Sequence, residues 1–179
     1  MGRIVLVSQR HDQLVSLIMK RVPDAVAATN FDLELQAGDV LCWLPRENEF
    51  VDDEVQELAT LIDRSLFPPA KIVMLSLAGT ADDASEQQLR QWYGKQAMQF
   101  VFAYQYAIKM IDEFELPYTI IRSIPLSDKE IPTQIVTEGE PLTGEKVGIN
   151  QVAQVIERAV TTDEFKNQSI GIAPLESEK

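Results

Sequence analysis

The sequence places its clearest buried strand at residues 71–77, KIVMLSL, with turn residues on both sides. Short continuous apolar runs of this kind are typical of parallel strands that are covered on both faces of a sheet. Helix-spaced segments flank it: residues 52–62 carry an apolar stripe before the strand, and residues 85–88, SEQQ, form a capping box that opens a long helical region after it. This alternation predicts an α/β protein with a mostly parallel sheet.

The same alternation extends towards both ends of the chain. Further strands are predicted at residues 4–7, 25–29, 40–44, 118–121, 134–137 and 169–172. The long helical region is predicted to run from residue 85 to about 114, with Gly94 as its one candidate interruption, and Asn150 is predicted to be the N-cap of a helix over residues 151–160. Residues 125–148 are rich in Pro, Gly, Thr and Glu, which predicts a surface excursion.

Composition limits the partners of this acidic chain. Its 179 residues suit one well-packed domain, and its formal charge of −12 argues against a nucleic-acid partner, because phosphate binding needs a basic stripe. No apolar run approaches the ~20 residues that span a bilayer, so we expect no membrane contact and a cytoplasmic location. Cys42 is the only cysteine and lies in the apolar run VLCWLP, which predicts a buried side chain. The acidic groups lack the ligand spacing of a metal loop, and no metal site is predicted.

The second half of the chain resembles a known family. Its segments are, in order, KIVMLSLAG, the long helical region, LPYTIIRSIPL, an irregular stretch, VGINQVAQVIERAV and SIGIA. This order is similar to that of the atypical short-chain dehydrogenase/reductase family, in particular its NmrA-like, NAD(P)H-binding branch. YTIIR at residues 118–122 and the pair Val152 and Ala153 carry the closest likeness, and the resemblance covers roughly residues 71–173.

The resemblance implies a Rossmann-like, doubly wound, mostly parallel sheet with helices on both faces. The length of the chain predicts one domain over residues 1–173, and the residues PLESEK predict a polar tail at residues 174–179. In the family, the turn after the first strand binds the cofactor pyrophosphate through glycines and the amino terminus of the next helix. NAD(P)H is therefore the implied cofactor, and a small-molecule nucleotide is the implied partner.

The turn after the first strand departs from the family pattern. It reads SQRHD at residues 8–12 and contains no glycine. The candidate cofactor contacts are Ser8 and Arg10 in this turn, with Ser76 and Arg122 at the ends of later strands. Asp12 is predicted to cap the following helix, which would place its carboxylate at the amides that a phosphate would use. The turn therefore leaves open whether any cofactor is bound.

Candidate catalytic residues follow from the same resemblance. The family uses a tyrosine with a lysine four residues further on, so that the ammonium lowers the pKa of the phenol. Neither Tyr93, Tyr104 nor Tyr106 has a lysine at that position, although Lys109 lies three residues after Tyr106. The candidate set is therefore Ser76, Tyr106 and Lys109.

Two hypotheses of function remain open on the sequence. One is an NAD(P)H-dependent oxidoreductase with an altered cofactor site. The other is a non-catalytic binding, sensing or assembly module on the same fold, with the long helical region as a candidate face for a second copy of the chain. A shared fold does not decide between them.

Overall fold

The computed structural model describes residues 2–175 and has the predicted α/β architecture. Its strands are β1 Ile4–Ser8, β2 Val26–Ala28, β3 Val40–Leu44, β4 Lys71–Leu77, β5 Tyr118–Ser123, β6 Leu126–Ser127, β7 Thr133–Val136, β8 Val147–Gly148 and β9 Gln168–Pro174. Its helices are α1 Leu14–Arg21, α2 Asp52–Arg64, α3 Glu86–Tyr93, α4 Ala97–Glu113 and α5 Ile149–Thr161.

Seven of these strands form one sheet in the order β2-β1-β3-β4-β5-β9-β7. All neighbours pair in parallel except β7 and β9, which are antiparallel. The strands β6 and β8 form a separate two-stranded parallel pair. Within residues 2–175 the protein therefore has the Rossmann-like, mostly parallel sheet that the second half of the sequence implied.

Helices cover both faces of the sheet because side chains alternate along each buried strand. In β1, Leu6 packs into the core beneath α1 and α5, whereas Val5 and Val7 pack into the core beneath α2 and α4. The same alternation in β3 places Cys42 in the first core and Trp43 in the second. Burial raises the pKa of the Cys42 thiol to about 12, so this side chain is a buried apolar residue, as predicted.

Several predicted boundaries change in the structure. Gly94 does interrupt the long helical region, because it takes a positive φ of 84° between α3 and α4. The prediction that Asn150 caps α5 is wrong: the helix begins at Ile149, with Gly148 in the N-cap position. The Asn150 side chain instead accepts a hydrogen bond from Arg21 and donates one to Glu130.

The excursion over residues 125–148 is only partly at the surface. Its predicted strand is β7, which pairs with β9, but Leu142 and Val147 are buried in the core. The sequence did not reveal β6 and β8, because a two-residue strand is too short to show a period. The predicted polar tail begins at the last residue of β9, and residues 176–179 lie outside the described range.

Across residues 2–175, no helix has both the length and the apolar character that crossing a membrane requires.

Candidate functional site

A cavity of about 80 Å³ lies at the carboxyl ends of β1, β3, β4 and β5. In parallel α/β sheets this edge is where ligands usually bind. Register places Ser8 beside Leu44 at one part of this edge, and Ser76 beside Arg122 at another. The cavity is lined from four strand ends and two helices: the turn after β1, the segment after β3, the end of β4, the segment after β5, and the helices α3 and α4. The lining residues include Arg10, Pro45, Glu47, Ser76, Trp92, Tyr93, Tyr104, Ser123 and Ile124.

The turn between β1 and α1 is built by side chains. The Ser8 hydroxyl donates a hydrogen bond to the Leu44 carbonyl over 2.8 Å and accepts one from the Arg10 amide over 3.1 Å. No residue from 8 to 13 has a positive φ. Glycine is required where the backbone must enter that left-handed region, so this turn closes without one.

Arg10 crosses from this turn to the segment after β3. Its Nε lies 3.1 Å from each carboxylate oxygen of Asp12, its Nη1 donates to the Pro45 carbonyl over 2.9 Å, and its Nη2 donates to Glu47 Oε1 over 3.0 Å. The Arg10 side chain is only 5% exposed. One guanidinium is thus paired with two carboxylates, of which Glu47 lines the cavity and Asp12 does not.

Asp12 also binds the amino terminus of α1. Its Oδ1 accepts a hydrogen bond from the Leu14 amide over 3.2 Å, while Gln13, in the N-cap position, makes no side-chain cap. A carboxylate at a helix amino terminus is stabilised by the free amides and by the helix dipole. The predicted capping contact of Asp12 is confirmed.

Ser76 lies near the end of β4 and lines the cavity. It is 2% exposed, and its hydroxyl finds no hydrogen-bonding partner within the described residues. Buried hydroxyl groups are normally paired, because leaving one unpaired costs about 1–3 kcal/mol. An unpaired buried hydroxyl on the wall of a cavity is available to a ligand.

Two tyrosines face the same cavity. Tyr93, at the end of α3, donates its hydroxyl hydrogen to the Ser123 carbonyl over 2.9 Å. Tyr104 is 2% exposed in the middle of α4. Burial raises the pKa of both phenols well above the usual range. At Tyr104 the charge of Arg10 opposes this rise, and nearby carboxylates, with Glu47 among them, add to it. Both side chains therefore stay protonated near neutral pH as neutral hydrogen-bond donors.

Arg122 is inside β5 rather than at its exit, and its side chain is fully buried away from the lining of the cavity. It forms an ion pair with Asp83 and donates from Nε to the Ser169 hydroxyl over 2.9 Å. The other oxygen of Asp83 accepts a hydrogen bond from the Gly79 amide. These contacts join the loop after β4 to the sheet.

Tyr106 and Lys109 lie on other surfaces of α4. Tyr106 is 42% exposed and contacts Gln56 of α2, whereas Lys109 lies in a shallow surface groove beside Asp112 and Glu138. The structure therefore brings Ser8, Arg10 and Ser76 to one edge of the sheet, with Arg10 and Ser76 lining the cavity. It does not bring Tyr106 or Lys109 to that cavity.

The sequence did hold a signal for Tyr104. Phe100, Tyr104, Ala107 and Ile111 recur at the spacing of one helix face, and all four are buried on α4. A polar tip on that apolar face marks Tyr104 as the tyrosine of α4 that points inward. Tyr93 has no such signal, because its place at the cavity depends on a long-range contact with the Ser123 carbonyl.

Residues 69–163 match a family described as NAD(P)H-binding, and this match spans more than half of the chain. The chain belongs to that NAD(P)H-binding family. A comparison with curated proteins gives no match.

Solved structures with the same fold include proteins described as reductases. A short-chain dehydrogenase/reductase from Veillonella parvula, solved in complex with NADP, is 14% identical with a TM-score of 0.70, over 100% of this chain and 98% of that one. A Rossmann-fold NAD(P)-binding family protein from Shigella flexneri is 14% identical with a TM-score of 0.70, over 100% and 97%. Anaerobillin reductase from Escherichia coli O157:H7 is 14% identical with a TM-score of 0.67, over 99% and 87%. At this level of identity the likeness is one of fold.

Proposed function

We propose that this chain is a small-molecule binding module of the NAD(P)H-binding family, in which the dinucleotide site is altered at the first turn. The observation that carries the proposal is the arrangement of Arg10, Asp12 and Glu47 at the amino terminus of α1. The resemblance of residues 118–122 and of Val152 and Ala153 to the NmrA-like branch supports descent from an NAD(P)H-binding ancestor.

The residues of the turn do not fit a pyrophosphate in this conformation. A pyrophosphate on a Rossmann fold accepts hydrogen bonds from free amides at the helix amino terminus. Here the Leu14 amide already donates to the Asp12 carboxylate. The carboxylate of Glu47 also accepts a hydrogen bond from the Arg10 guanidinium. A bound pyrophosphate would therefore have to displace one carboxylate and lie against the other.

The size of the cavity supports the same proposal. A volume of about 80 Å³ accommodates roughly five to eight water molecules, at 10–15 Å³ for each. A molecule with about that many heavy atoms fits this space, whereas a dinucleotide is several times larger. We therefore assign the cavity, rather than the first turn, as the ligand site.

A titration with NADH and NADPH tests this proposal. A nucleotide at 100 times its Kd stabilises a protein by about 2.7 kcal/mol, which is visible as a rise in Tm. We expect no rise for the native chain with either nucleotide. Asp12→Gly removes the carboxylate from the Leu14 amide and should produce nucleotide binding, at the expense of a weaker helix cap.

Asp24→Gly is the matched control, because it removes the same charge from an exposed turn at the other end of α1. It should leave nucleotide binding unchanged. Saturable binding of NADH or NADPH to the native chain at micromolar concentration would contradict the proposal. So would nucleotide binding that Asp12→Gly weakens.

An NAD(P)H-dependent oxidoreductase is the second candidate function. The unpaired hydroxyl of Ser76 favours it, because a hydroxyl at the end of this strand suits contact with a reacting group. Ser76 is then the candidate catalytic residue within the cavity, whereas Tyr106 and Lys109 would reach it only after a movement of α4. Oxidation of NADH or NADPH by the native chain with a carbonyl substrate, lost in Ser76→Ala, would select this function.

A further inference from the structure

We propose that the open groove between α2 and α4 is a docking site for a basic amphipathic helix that belongs to another protein. The groove shares no lining residue with the cavity, so the inference stands apart from the proposed function. It adds a protein partner of stated charge to this chain.

Three aromatic side chains are exposed together along this groove. Phe102 is 60% exposed on α4, Phe50 is 46% exposed just before α2, and Tyr106 lies about one helical turn after Phe102. Contiguous exposed apolar surface marks an interaction site, whereas apolar side chains that are exposed singly do not. Elsewhere in residues 2–175, four other large apolar side chains are exposed, and none of them lines the groove: Val26, Leu66, Phe67 and Leu175.

The walls of the groove are already held in place. Gln56 of α2 donates a hydrogen bond to the Tyr106 hydroxyl of α4, which joins the two helices. Phe50 packs against the buried Phe100, with 4.7 Å between the ring centroids. Docking therefore requires little ordering of the groove itself. A groove between two helices suits a third helix that inserts side chains from one of its faces.

The rim of the groove is acidic. Asp52 and Asp53 are exposed in the first turn of α2, and among the described residues they are the only charged side chains that line the groove. The whole chain carries a formal charge of −12. Complementary charge gives an interface its specificity, so aromatic surface beside two carboxylates fits a helix with apolar side chains flanked by Lys or Arg.

The same charge disfavours a second copy of the chain as the partner. In a two-fold symmetric contact the same patch of both copies meets, which brings two pairs of Asp52 and Asp53 to one interface. Like charges oppose such a contact, and a net charge far from zero keeps proteins monomeric. The exposed face of α4 therefore fits a partner of opposite charge better than it fits its own copy.

Two synthetic helical peptides of about 15 residues test the inference. Both carry leucine along one helix face, and the other positions are lysine in one peptide and glutamate in the other. We expect the lysine peptide to bind the native chain with a Kd of about 10 μM, measured by fluorescence anisotropy in about 0.15 M salt. The glutamate peptide should bind at least about tenfold more weakly.

A first pair of variants tests the aromatic surface. Phe102→Ser should weaken the binding of the lysine peptide at least about fivefold, because it removes the most exposed ring of the groove. Phe67→Ser is the matched control, since Phe67 is an exposed phenylalanine outside the groove, and it should leave binding unchanged.

A second pair of variants tests the acidic rim. Asp52→Asn combined with Asp53→Asn should weaken the binding of the lysine peptide at least about threefold. Asp32→Asn combined with Glu34→Gln removes the same charge from exposed positions between β2 and β3, and should weaken it by less than about twofold.

The inference is overturned if the glutamate peptide binds as tightly as the lysine peptide, or if neither peptide binds the folded native chain. It is also overturned if either control variant weakens binding as much as its partner in the groove does. Sedimentation of the native chain tests the second copy. A dimer that Phe102→Ser dissociates would assign the groove to that copy and overturn the inference, whereas a monomer supports it.

Discussion

Arg122 and Asp83 form an ion pair in which neither side chain has any contact with solvent. Arg122 belongs to β5, whereas Asp83 belongs to the loop between β4 and α3. The backbone carbonyl of Asp83 also accepts a hydrogen bond from the Leu142 amide over 2.8 Å. The pair therefore connects the centre of the sheet to the loop before α3 and to the segment before β8.

Arg122→Met should lower the free energy of unfolding by about 3–5 kcal/mol, because it leaves the Asp83 carboxylate buried without a partner. Urea denaturation measures the change. The double variant Arg122→Met with Asp83→Asn should recover part of the loss, since the asparagine oxygen still accepts from the Gly79 amide and carries no charge.

Arg90→Met is the control for this experiment. Arg90 pairs with Glu86 on the exposed face of α3, where an ion pair contributes about 0–1 kcal/mol.

If the double variant of Arg122 and Asp83 were no more stable than Arg122→Met, the loss would come from packing and not from an unpaired charge.

Ser76→Ala should raise the free energy of unfolding by about 1 kcal/mol, although it alters a buried residue. The native hydroxyl is desolvated without a hydrogen bond, and alanine removes that cost. Ser123→Ala is the matched control: Ser123 is 4% exposed, but its hydroxyl donates to the Ile124 carbonyl over 2.7 Å. Thermal unfolding should therefore show a higher Tm for Ser76→Ala and a lower one for Ser123→Ala.

A residue whose native side chain lowers the free energy of unfolding is typical of a binding site. If Ser76→Ala proves destabilising, the Ser76 hydroxyl has a partner in solution. The assignment of that hydroxyl to a ligand would then lose its basis.

The Asp39 carboxylate stabilises the folded protein at neutral pH, and this stabilisation should be lost in acid. Burial raises the pKa of Asp39, but hydrogen bonds from Arg3 and from the Gln36 amide, together with the charge of Arg3, outweigh it and hold the pKa below the ordinary 3.8. The folded state therefore binds this proton less readily than the unfolded state. The stabilisation is fully present above pH 3.8 and is lost as the pH falls through the lower, folded pKa.

Asp39→Asn should cost about 1–3 kcal/mol at neutral pH and flatten the acid limb of the stability curve. Urea midpoints measured from pH 2 to pH 7 in both proteins would show this. A curve for Asp39→Asn that ran parallel to the native one would mean that other carboxylates cause the acid loss.

Much of the sheet was predictable from the sequence, because its strands are buried on both faces. The runs at residues 40–44 and 71–77 are strands β3 and β4 with the predicted bounds. Asn150 was wrongly predicted as the N-cap because the prediction used only the local residue preference. In the structure β8 continues directly into α5 through Gly148, which takes the N-cap position. Local preference is overruled wherever a neighbouring strand fixes the path of the chain.

The candidate site was predictable only in its strand-end residues. Arg10 and Ser76 were proposed from the family resemblance, which places the cofactor at the turn after the first strand and at the end of the central strand, and both line the cavity. Tyr106 and Lys109 share a helix, but the spacing of two residues does not say which side of α4 faces the cavity. Tyr93 is the last residue of α3, next to the predicted break at Gly94, but the local sequence does not encode its long-range contact with the Ser123 carbonyl.

Arg10→Met should lower the free energy of unfolding by about 1–3 kcal/mol, because it removes the contacts that join the turn after β1 to Pro45 and Glu47. The loss is limited, since the Glu47 carboxylate is 58% exposed and regains water when the guanidinium is gone. Arg46→Met is the control, because Arg46 makes a comparable but exposed pair with Glu49 and should cost at most about 1 kcal/mol. Equal costs in the two variants, measured by urea denaturation, would show that Arg10 does not hold the turn in place. The proposal that this turn excludes a pyrophosphate would then lose the contact on which it rests.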